Sequence, residues 1–403
     1  MQAASHHLTR VISHGMGAEP VISDWPALTS AEVARVLHHY PEVGQPLRLE
    51  WHSPRPFSAA CVMQTASGPV IVKRHHARVR DVVALAEEHR FVAHLQANGL
   101  PVSPALATAE GATALADEYW TYEVFPLAPG VDLYREAMSW TPFSSGQHAH
   151  SAGHMLARLH QASAGYDAPA RPARPLVSSF TIFSLEDPVR PLQAYIEQRP
   201  AIADYLENRP WRGEVAQHLL PWHAGLKPYL DEFSPLWTHN DWHASNLLWS
   251  DATEQAQVQT VLDFGLCDRT CALHDLATAI ERNIVEWLAI PQRQVQLVHL
   301  DLLDAMLDGY ASVLPLNARQ TRALAALLPL VHAEFALAEL DYFHGVTQSP
   351  QNASLAYDTY FLGHAAWFHT SEGQRLLTHL QHRADALEHK PDSASAAVNQ
   401  AAR

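Results

Sequence analysis

The chain contains Thr238-His239-Asn240-Asp241-Trp242-His243-Ala244-Ser245-Asn246 and, a little later, Val261-Leu262-Asp263-Phe264-Gly265. Each stretch adjoins an apolar run that is typical of a strand, Leu247-Leu248-Trp249 after the first and Val261-Leu262 within the second. An aspartate, an asparagine five positions later and a second aspartate therefore stand beside strand ends. We expect these side chains to face one cleft.

The order Asp, Asn, Asp is the one that phosphoryl transfer of the kinase type requires. A carboxylate at Asp241 can orient an acceptor hydroxyl and receive its proton late in the reaction. Asn246 and Asp263 offer the oxygen ligands that Mg²⁺ prefers. Taken singly, each residue has an ordinary explanation, as a loop cap, a turn asparagine or an Asp-x-Gly turn. Their joint order favours the catalytic interpretation.

A lysine ends the apolar run Val70-Ile71-Val72 upstream of these motifs. Because a buried ammonium is costly unless it is paired, Lys73 is predicted to hold phosphate oxygens and a carboxylate. We expect that carboxylate on the following helix, and we prefer Glu88 to Glu87 because its helical spacing places it on the buried face. The alternative is a surface lysine at a strand end.

Bulk composition indicates a globular protein of two lobes, with 403 residues, 47% of them apolar and 17% charged. The net charge of −15 and the lack of a dense Lys/Arg block argue against a nucleic-acid or anionic-membrane partner. Three cysteines cannot build a disulfide framework, and we find neither a signal peptide nor an apolar run that approaches a membrane span. We therefore expect a cytoplasmic protein, and its oligomeric state stays open.

The order of predicted elements is α+β, with a small antiparallel sheet before a mainly helical region. Strands are predicted near 47–51, 59–64, 70–73 and 119–125, with one helix starting at Thr29 or Ser30 and another over about 82–98. We divide the chain into an N-terminal arm at 1–27, an N-lobe that binds nucleotide at 28–127, a C-lobe with the catalytic loop and acceptor site at 128–390, and a disordered tail at 391–403. A Pro- and Arg-rich stretch at about 168–191 is predicted to be irregular.

Further motifs accompany the two opening stretches: His274-Asp275-Leu276-Ala277, the helix end Leu156-Ala157-Arg158-Leu159-His160, and Gly99-Leu100-Pro101-Val102. With them, the chain resembles the aminoglycoside phosphotransferase/choline kinase family of small-molecule kinases, over about residues 47 to 285. That resemblance implies a bilobal protein-kinase-like fold that uses ATP and Mg²⁺. The acceptor would be a hydroxyl of a small molecule, such as an amino alcohol, an amino sugar, a sugar or a homoserine-like compound.

The resemblance also assigns roles to individual residues. Asp241 would be the catalytic base, and Asn246 and Asp263 would be the Mg²⁺ ligands. Asp275 would brace the catalytic loop from a buried position, and His239 would belong to the internal scaffold of that loop. Where the first lobe ends, backbone groups of the two residues Glu123 and Phe125 would meet the adenine edge.

The chain departs from kinases at the phosphate loop. Its turn, residues 52–59, contains no glycine and has two prolines, which lack an N–H group. We expect Ser58 or Arg55 to take over part of the grip on the triphosphate.

Two other patterns carry weaker predictions. Cys267, Cys271 and His274 have a spacing that zinc ligands could use, but no fourth ligand is evident and we favour a structural explanation. On a later helix, Glu334 or Asp341 could bind a cationic or hydroxylated substrate. The more ordinary alternative is an apolar core face with a solvated acidic face.

Two rival functions stay open at this point. One is a Ser/Thr protein kinase of the same fold. The other is a non-catalytic regulator that binds nucleotide, for which the glycine-free phosphate loop is the best argument. The intact set of Asp241, Asn246 and Asp263 favours the small-molecule kinase over both.

Overall fold

The four predicted strands of the first lobe and a short fifth strand that was not predicted form one antiparallel sheet in the order β1-β2-β3-β5-β4. The computed structural model describes residues 23–293 and 295–389, so most of the predicted arm and all of the predicted tail lie outside the described residues. The elements of this lobe are α1 (Ser30–Leu37), β1 (Pro46–His52), β2 (Ala59–Thr65), β3 (Gly68–His76), α2 (Val82–Ala97), β4 (Leu115–Asp117) and β5 (Trp120–Pro126).

Local sequence explains the two helices of this lobe. The predicted Ser or Thr cap of α1 is Thr29, which forms a reciprocal capping box with Glu32. Asp81 caps α2, and the chain turns out of that helix at Gly99 with a φ of 78°. The buried face of α2 includes Glu88, as its helical spacing predicts.

The rest of the described chain is mainly helical. Its helices are α3 (Gly146–Ala162), α4 (Val189–Glu197), α5 (Pro200–Leu206), α6 (Trp211–His218), α7 (Leu220–Leu226), α8 (Ala272–Ile284), α9 (Leu300–Ala311), α10 (Ala318–Leu327), α11 (Ala333–Leu340), α12 (Pro350–Ser354), α13 (His364–Trp367) and α14 (Ser371–Glu388). No helix or strand occurs in residues 163–188, which agrees with the predicted irregular connection. The sheet ends at Pro126, and the proposed division into lobes after residue 127 stays a prediction.

Two small strand pairs bring the opening motifs together. Strand β6 (Pro235–Thr238) pairs with β9 (Asp268–Cys271), and β7 (Leu247–Trp249) pairs with β8 (Val258–Val261). The catalytic loop runs from β6 to β7, and the Asp-Phe-Gly turn runs from β8 to β9. Thr238 is opposite Asp268 and Leu247 is opposite Val261, so the ends of both loops are adjacent.

One helical run corrects a sequence expectation. Ala318–Val346 is 29 residues long, and its most apolar window has a mean hydropathy of 1.6, whereas we expected no run that approaches a membrane span. Within the fold, 94% of that window is buried. Such burial is the property of a core helix, since the apolar surface is covered by protein.

Candidate active site

One buried carboxylate holds the catalytic loop. Asp275, in the first turn of α8, accepts hydrogen bonds from the backbone N–H groups of His239 at 2.9 Å and Asn240 at 2.8 Å. The Nε2 atom of His160 lies 3.1 Å from the same carboxylate. Burial opposes ionisation, but the contacts with His160 and His239 outweigh it and lower the pKa of Asp275. The predicted bracing role of Asp275 is confirmed.

The His239 ring connects the two loops. Its Nε2 lies 2.9 Å from the carbonyl oxygen of Leu262, and its Nδ1 accepts from the backbone N–H of Asp241 at 3.2 Å. The ring therefore donates from Nε2 and accepts at Nδ1, which fixes its tautomer. The predicted scaffold role of His239 is confirmed.

Backbone strain marks both loops. Asn240 has a φ of 61° and Asp263 a φ of 54°, in the left-handed region that costs non-glycine residues on the order of 1 kcal/mol. The Asn240 side chain accepts from Thr238 at 2.9 Å and from Thr270 at 3.0 Å. It also donates to the Leu266 carbonyl at 3.1 Å. These bonds hold the strained turn immediately before Asp241.

The carboxylate of Asp241 lies beside an arginine, a histidine and an amide. Asn246 Nδ2 donates to its backbone oxygen at 3.0 Å and to its Oδ2 at 3.2 Å. His243 Nε2 is 3.6 Å and Arg282 Nη2 is 3.5 Å from the carboxylate oxygens. Burial would raise the pKa of Asp241, but His243 and Arg282 outweigh it and hold that pKa far below its ordinary value. Asp241 is therefore ionised at neutral pH.

The side chains of Asn246 and Asp263 have the donor chemistry for Mg²⁺. Because the Asn246 amide nitrogen faces Asp241, its Oδ1 points elsewhere and makes no hydrogen bond within the described residues. Asp263 contributes a carboxylate whose side chain is 40% exposed, and Lys73 and Arg80 outweigh the opposing effect of desolvation and lower its pKa. No cluster of three or more potential metal ligands occurs in the described chain, and Mg²⁺ commonly uses only one or two carboxylates together with water and phosphates. The two residues fit such a site.

Lys73 does not form the ion pair predicted with Glu88. Its Nζ lies 3.2 Å from Asp263 Oδ2 instead. Burial disfavours the charged ammonium, but Asp263 and Glu123 outweigh it and raise the pKa of Lys73. Lys73 is therefore paired, as expected, although its side chain is half-buried and the chosen partner was wrong.

Glu88 is held by arginines. Arg171 Nη2 donates to Glu88 Oε1 at 2.8 Å, and Arg80 Nε lies 3.5 Å from the same oxygen. Arg171 belongs to the irregular stretch between α3 and α4 and also donates to the carbonyls of Gly265 at 3.2 Å and Cys267 at 3.1 Å. Glu88 thus positions α2 against the Asp-Phe-Gly turn and does not contact Lys73 as an ion pair.

The carboxylate of Glu123 is a second buried anion near Lys73. Glu123 is directly opposite Lys73 in the β3–β5 ladder. Its two oxygens lie 2.9 Å from His75 Nε2 and 2.7 Å from His89 Nε2. Burial opposes ionisation, yet the two histidines outweigh it and hold the pKa of Glu123 well below its ordinary value. Sequence reasoning considered only the backbone of this residue and missed its carboxylate.

The predicted backbone contacts of Glu123 and Phe125 need revision. The carbonyl of Val124 points away from β3, because it accepts from the N–H of Leu106 at 2.7 Å. Backbone groups alternate in direction along a strand, so those of Glu123 and Phe125 point toward β3 and belong to the ladder. Both side chains nevertheless line a cavity of the cleft.

Two cavities meet at the metal-binding candidates. The sheet cavity, of about 190 Å³, is lined by residues that include Ala60, Ile71, Lys73, Glu123 and Phe125. The helix cavity, of about 240 Å³, is lined by residues that include Trp140, Asp241, Arg282, Phe335 and Glu339. Both are lined by Pro54, Arg55, Arg135, Asn246 and Asp263. The Asp241 carboxylate therefore belongs to one cavity and the Lys73 ammonium to the other.

The glycine-free turn places an arginine at that junction. Arg55 Nη2 donates to the Ser245 hydroxyl at 2.7 Å and to the Ala137 carbonyl at 2.9 Å, so it joins the turn to the catalytic loop. Burial lowers the pKa of Arg55, although Asp241 and Asp132 oppose that effect. Ser58 lines the helix cavity and not the sheet cavity.

A family model described as the phosphotransferase enzyme family matches residues 58–316, which is more than half of the chain. The chain belongs to this family. The matched residues include Asn246 and Asp263, which line both cavities, as well as Lys73 and Asp241. A comparison with curated proteins found no match.

Solved structures support the fold of this phosphotransferase. A microcompartment-associated aminopropanol kinase has a TM-score of 0.57 at 18% identity, with 88% of this chain and 99% of that chain covered. Amicoumacin kinase hAmiN, in complex with AMP-PNP, Ca²⁺ and Ami, has a TM-score of 0.52 at 15% identity, with coverage of 83% and 97%. An aminoglycoside phosphotransferase from Alicyclobacillus acidocaldarius subsp. acidocaldarius DSM 446 has a TM-score of 0.50 at 15% identity, with coverage of 90% and 98%. At these identities the similarity shows the kinase-like fold alone.

The wall of the helix cavity in the phosphotransferase contains residues that sequence reasoning missed. Arg282 lies near the end of α8, and its guanidinium stacks over the Trp140 ring at 4.2 Å from the centroid. Phe335 and Glu339 reach the same cavity from α11. The predicted amphipathic helix gave a signal for α11, but no local pattern connected Arg282 or Trp140 with Asp241.

The acidic residues of α11 and of the π-helical stretch Asp341–Val346 that continues it, Glu334, Glu339 and Asp341, are buried, so the predicted solvated face was wrong. Glu334 accepts hydrogen bonds from Ser179 and from the backbone N–H groups of Thr181 and Ile182, which makes it a structural anchor. Asp341 lies 3.9 Å from Arg199. Neither lines the helix cavity, so the substrate contacts predicted for them are not supported.

The cysteine pattern has a structural explanation in the phosphotransferase. Cys271 accepts a hydrogen bond from the backbone N–H of His274 and so caps α8. Burial raises the pKa of both the Cys267 and the Cys271 thiols, so they stay protonated. Within the described residues, these three side chains belong to no group that could hold a metal ion.

Proposed function

We propose that this phosphotransferase transfers the γ-phosphoryl group of ATP to a hydroxyl of a small molecule in a reaction that needs Mg²⁺. The observation that carries the proposal is the meeting of two cavities at Asn246 and Asp263, with Lys73 on one side and Asp241 on the other. A nucleotide in the sheet cavity and an acceptor in the helix cavity would meet at this junction. In-line phosphoryl transfer needs that arrangement.

Each residue would act by position and charge. Asp241 orients the acceptor hydroxyl and receives its proton as the new oxygen–phosphorus bond forms and the bond to the leaving oxygen of ADP breaks. The proton then passes to solvent. The low pKa of Asp241 means that it accepts this proton late, when the hydroxyl has become strongly acidic.

The donor side is formed by residues of both lobes. Asn246 and Asp263 would hold Mg²⁺, which when bound neutralises charge on the phosphates. Lys73 would contact phosphate oxygens. Arg55, which donates a hydrogen bond to Ser245 of the catalytic loop, would bind phosphate oxygens as the backbone N–H groups of glycine-rich turns do in other kinases. Ser58 lies in the same turn, on the acceptor side. Among the side chains of β5, those of Glu123 and Phe125 would line the adenine end of the sheet cavity.

The rival functions have less support. A protein kinase needs an open groove for a peptide, whereas the helix cavity is walled by Trp140, Phe335 and Tyr360. A non-catalytic regulator has no need of an ionised Asp241 beside both metal-binding candidates.

The three cysteines of the chain are buried and unpaired, which is consistent with a reducing cytoplasm.

The test is ADP release from ATP or GTP with Mg²⁺, across amino alcohols, amino sugars, sugars, hydroxy acids and Ser/Thr peptides. Asp241→Asn should lower kcat by about 10³-fold or more and leave ADP binding within a few-fold by calorimetry. Asp251→Asn, an exposed aspartate, is the matched control and should keep full turnover. Turnover that survives in Asp241→Asn would exclude this residue as the base. Nucleotide binding without turnover on any acceptor would favour the regulator.

A further inference from the structure

A buried guanidinium in the helix cavity makes no hydrogen bond. Arg282 is 5% exposed, and within the part of the chain that the structure describes none of its N–H groups donates one. Its nearest acidic groups are the Asp241 carboxylate at 3.5 Å and the Glu281 carboxyl at 3.7 Å. Charge-assisted hydrogen bonds of arginine are about 2.7–2.9 Å long, so neither contact is of that kind, and the buried Nε has no hydrogen-bond partner.

The orientation of Arg282 is fixed by aromatic rings. Its guanidinium lies 4.2 Å from the centroid of the Trp140 ring and 5.5 Å from that of Phe335. Stacking occupies the faces of the planar group and leaves its N–H edge available. An edge of that kind matches two oxygens of one carboxylate.

The location of Arg282 decides which ligand it meets. It lines the helix cavity together with Asp241, and it does not line the sheet cavity that contains Lys73. Under the proposed function, the donor nucleotide is on the other side of the junction. A ligand group at Arg282 belongs to the acceptor.

We propose that Arg282 is a specificity-determining residue that binds a carboxylate of the acceptor, so the acceptor is a small hydroxy acid whose carboxylate lies near its reacting hydroxyl. This inference rests on the proposed function, because it names the substrate class of the same site. Hydroxy amino acids belong to this class. An acceptor that places a cation beside Arg282 is disfavoured by charge repulsion.

The experiment compares acceptors that differ only in a carboxylate. The pairs are serine with ethanolamine, glycerate with ethylene glycol, and homoserine with its decarboxylated amino alcohol. We expect wild-type kcat/KM to favour the carboxylated member of at least one pair by about 10- to 100-fold, which corresponds to one hydrogen-bonded charge pair. Arg282→Gln should abolish that ratio, and Arg282→Lys should restore only part of it. Arg269→Gln, at an exposed arginine of β9, should leave it unchanged.

The ratio of kcat/KM within each pair distinguishes an effect of Arg282 on acceptor specificity from an effect on catalysis in general. If Arg282→Gln lowers kcat/KM equally for both members of each pair, Arg282 acts on Asp241 or on the phosphoryl group and the inference is overturned. It is also overturned if the wild type prefers the decarboxylated members. If another alcohol is phosphorylated in an Asp241-dependent manner while no carboxylated acceptor is, the proposed function stands and this inference fails.

A binding measurement needs no turnover and so distinguishes the two proposals when no acceptor reacts. Homoserine or glycerate should raise the Tm of the wild type without nucleotide and should not raise that of Arg282→Gln. Equal thermal shifts, or none in the wild type, would refute the carboxylate site. A folded Arg282→Lys variant provides the same comparison if Arg282→Gln does not fold.

Discussion

The ammonium of Lys73 lies 3.2 Å from the carboxylate of Asp263, one of the two residues that we propose as Mg²⁺ ligands. Glu123 is opposite Lys73 in the neighbouring strand, so the ammonium stands between two anions. Binding of nucleotide with Mg²⁺ would exchange this ion pair for contacts with phosphates and metal. Lys73 is therefore part of the electrostatic balance of the site before any ligand binds.

Replacing Lys73 with Met should weaken binding of ADP with Mg²⁺ by roughly 10- to 100-fold, because a hydrogen bond to a charged group contributes about 1.5–3 kcal/mol. Isothermal titration calorimetry measures this effect. Lys227→Met is the matched control, since Lys227 is 45% exposed and lies 3.9 Å from its partner Glu186. Equal affinities of the Lys73 variant and the wild type would show that Lys73 does not contact the phosphates.

Arg171→Met should destabilise the protein by about 3–5 kcal/mol, because it leaves Glu88 in a buried position without its main partner. Thermal or denaturant unfolding measures this change. Arg174→Met removes a nearby but more exposed arginine, which pairs with Glu87 at 3.3 Å, and should cost less than about 1 kcal/mol.

The double variant Arg171→Met, Glu88→Gln tests the cause. It should recover part of the lost stability, because the uncompensated charge is removed with its partner. If the two single changes simply add, the contact at 2.8 Å does not couple these residues.

Local patterns in the sequence were enough to find the residues of the central motifs. The apolar runs beside Asp241, Asn246 and Asp263 predicted strand ends, and the strand pairs place the loops side by side. The burial of Glu88 also followed from helical spacing. These predictions succeeded because each depends on neighbours a few residues away.

Partners far apart in the chain were not predictable in the same way. Glu88 is 83 positions from Arg171, and Arg282 meets Asp241 only because α8 packs beneath the catalytic loop. Nothing in local periodicity chooses between Lys73 and Arg171 as the partner of a buried glutamate. The acids of α11 were wrongly predicted to face solvent for the same reason. Helical spacing does not show that residues distant in the chain, such as Ser179 and Thr181, cover Glu334.

Gly265→Ala should impair both stability and turnover. A Cβ at this position would lie 1.9 Å from the guanidinium of Arg80, which also lies near Glu88. Arg80 must therefore move away from the Asp-Phe-Gly turn, and we expect kcat to fall by about 10-fold or more, since misplacement of about 1 Å can cost 10²-fold. Tm and steady-state kinetics measure the two effects.

Gly225→Ala is the control for that substitution. Gly225 is an exposed helical residue of α7, and a Cβ there meets no atom within 4 Å. Alanine should be neutral or stabilising by up to about 1 kcal/mol at such a site. Unchanged kinetics in Gly265→Ala would mean that the position of Arg80 does not matter to the reaction.

Glu281 predicts a pH dependence of stability. It is 1% exposed, and its carboxyl lies 3.3 Å from His332 and 3.5 Å from His364. Burial raises its pKa to about 8, with Arg282 opposing and Glu339 adding to the shift. The same burial keeps the pKa of both histidines well below their ordinary value, so they are neutral.

The folded chain therefore keeps a proton on Glu281 that the unfolded chain releases above its ordinary pKa of 4.5. The contribution of this group is fully present below that value and is lost as the pH rises toward about 8. Glu281→Gln cannot ionise, so the Tm of the variant minus that of the wild type should increase steadily between pH 5 and pH 8.5. Glu207→Gln, at an exposed site, should show a flat difference. A flat difference for Glu281→Gln as well would mean that the native carboxyl is already ionised at pH 5, held by Arg282.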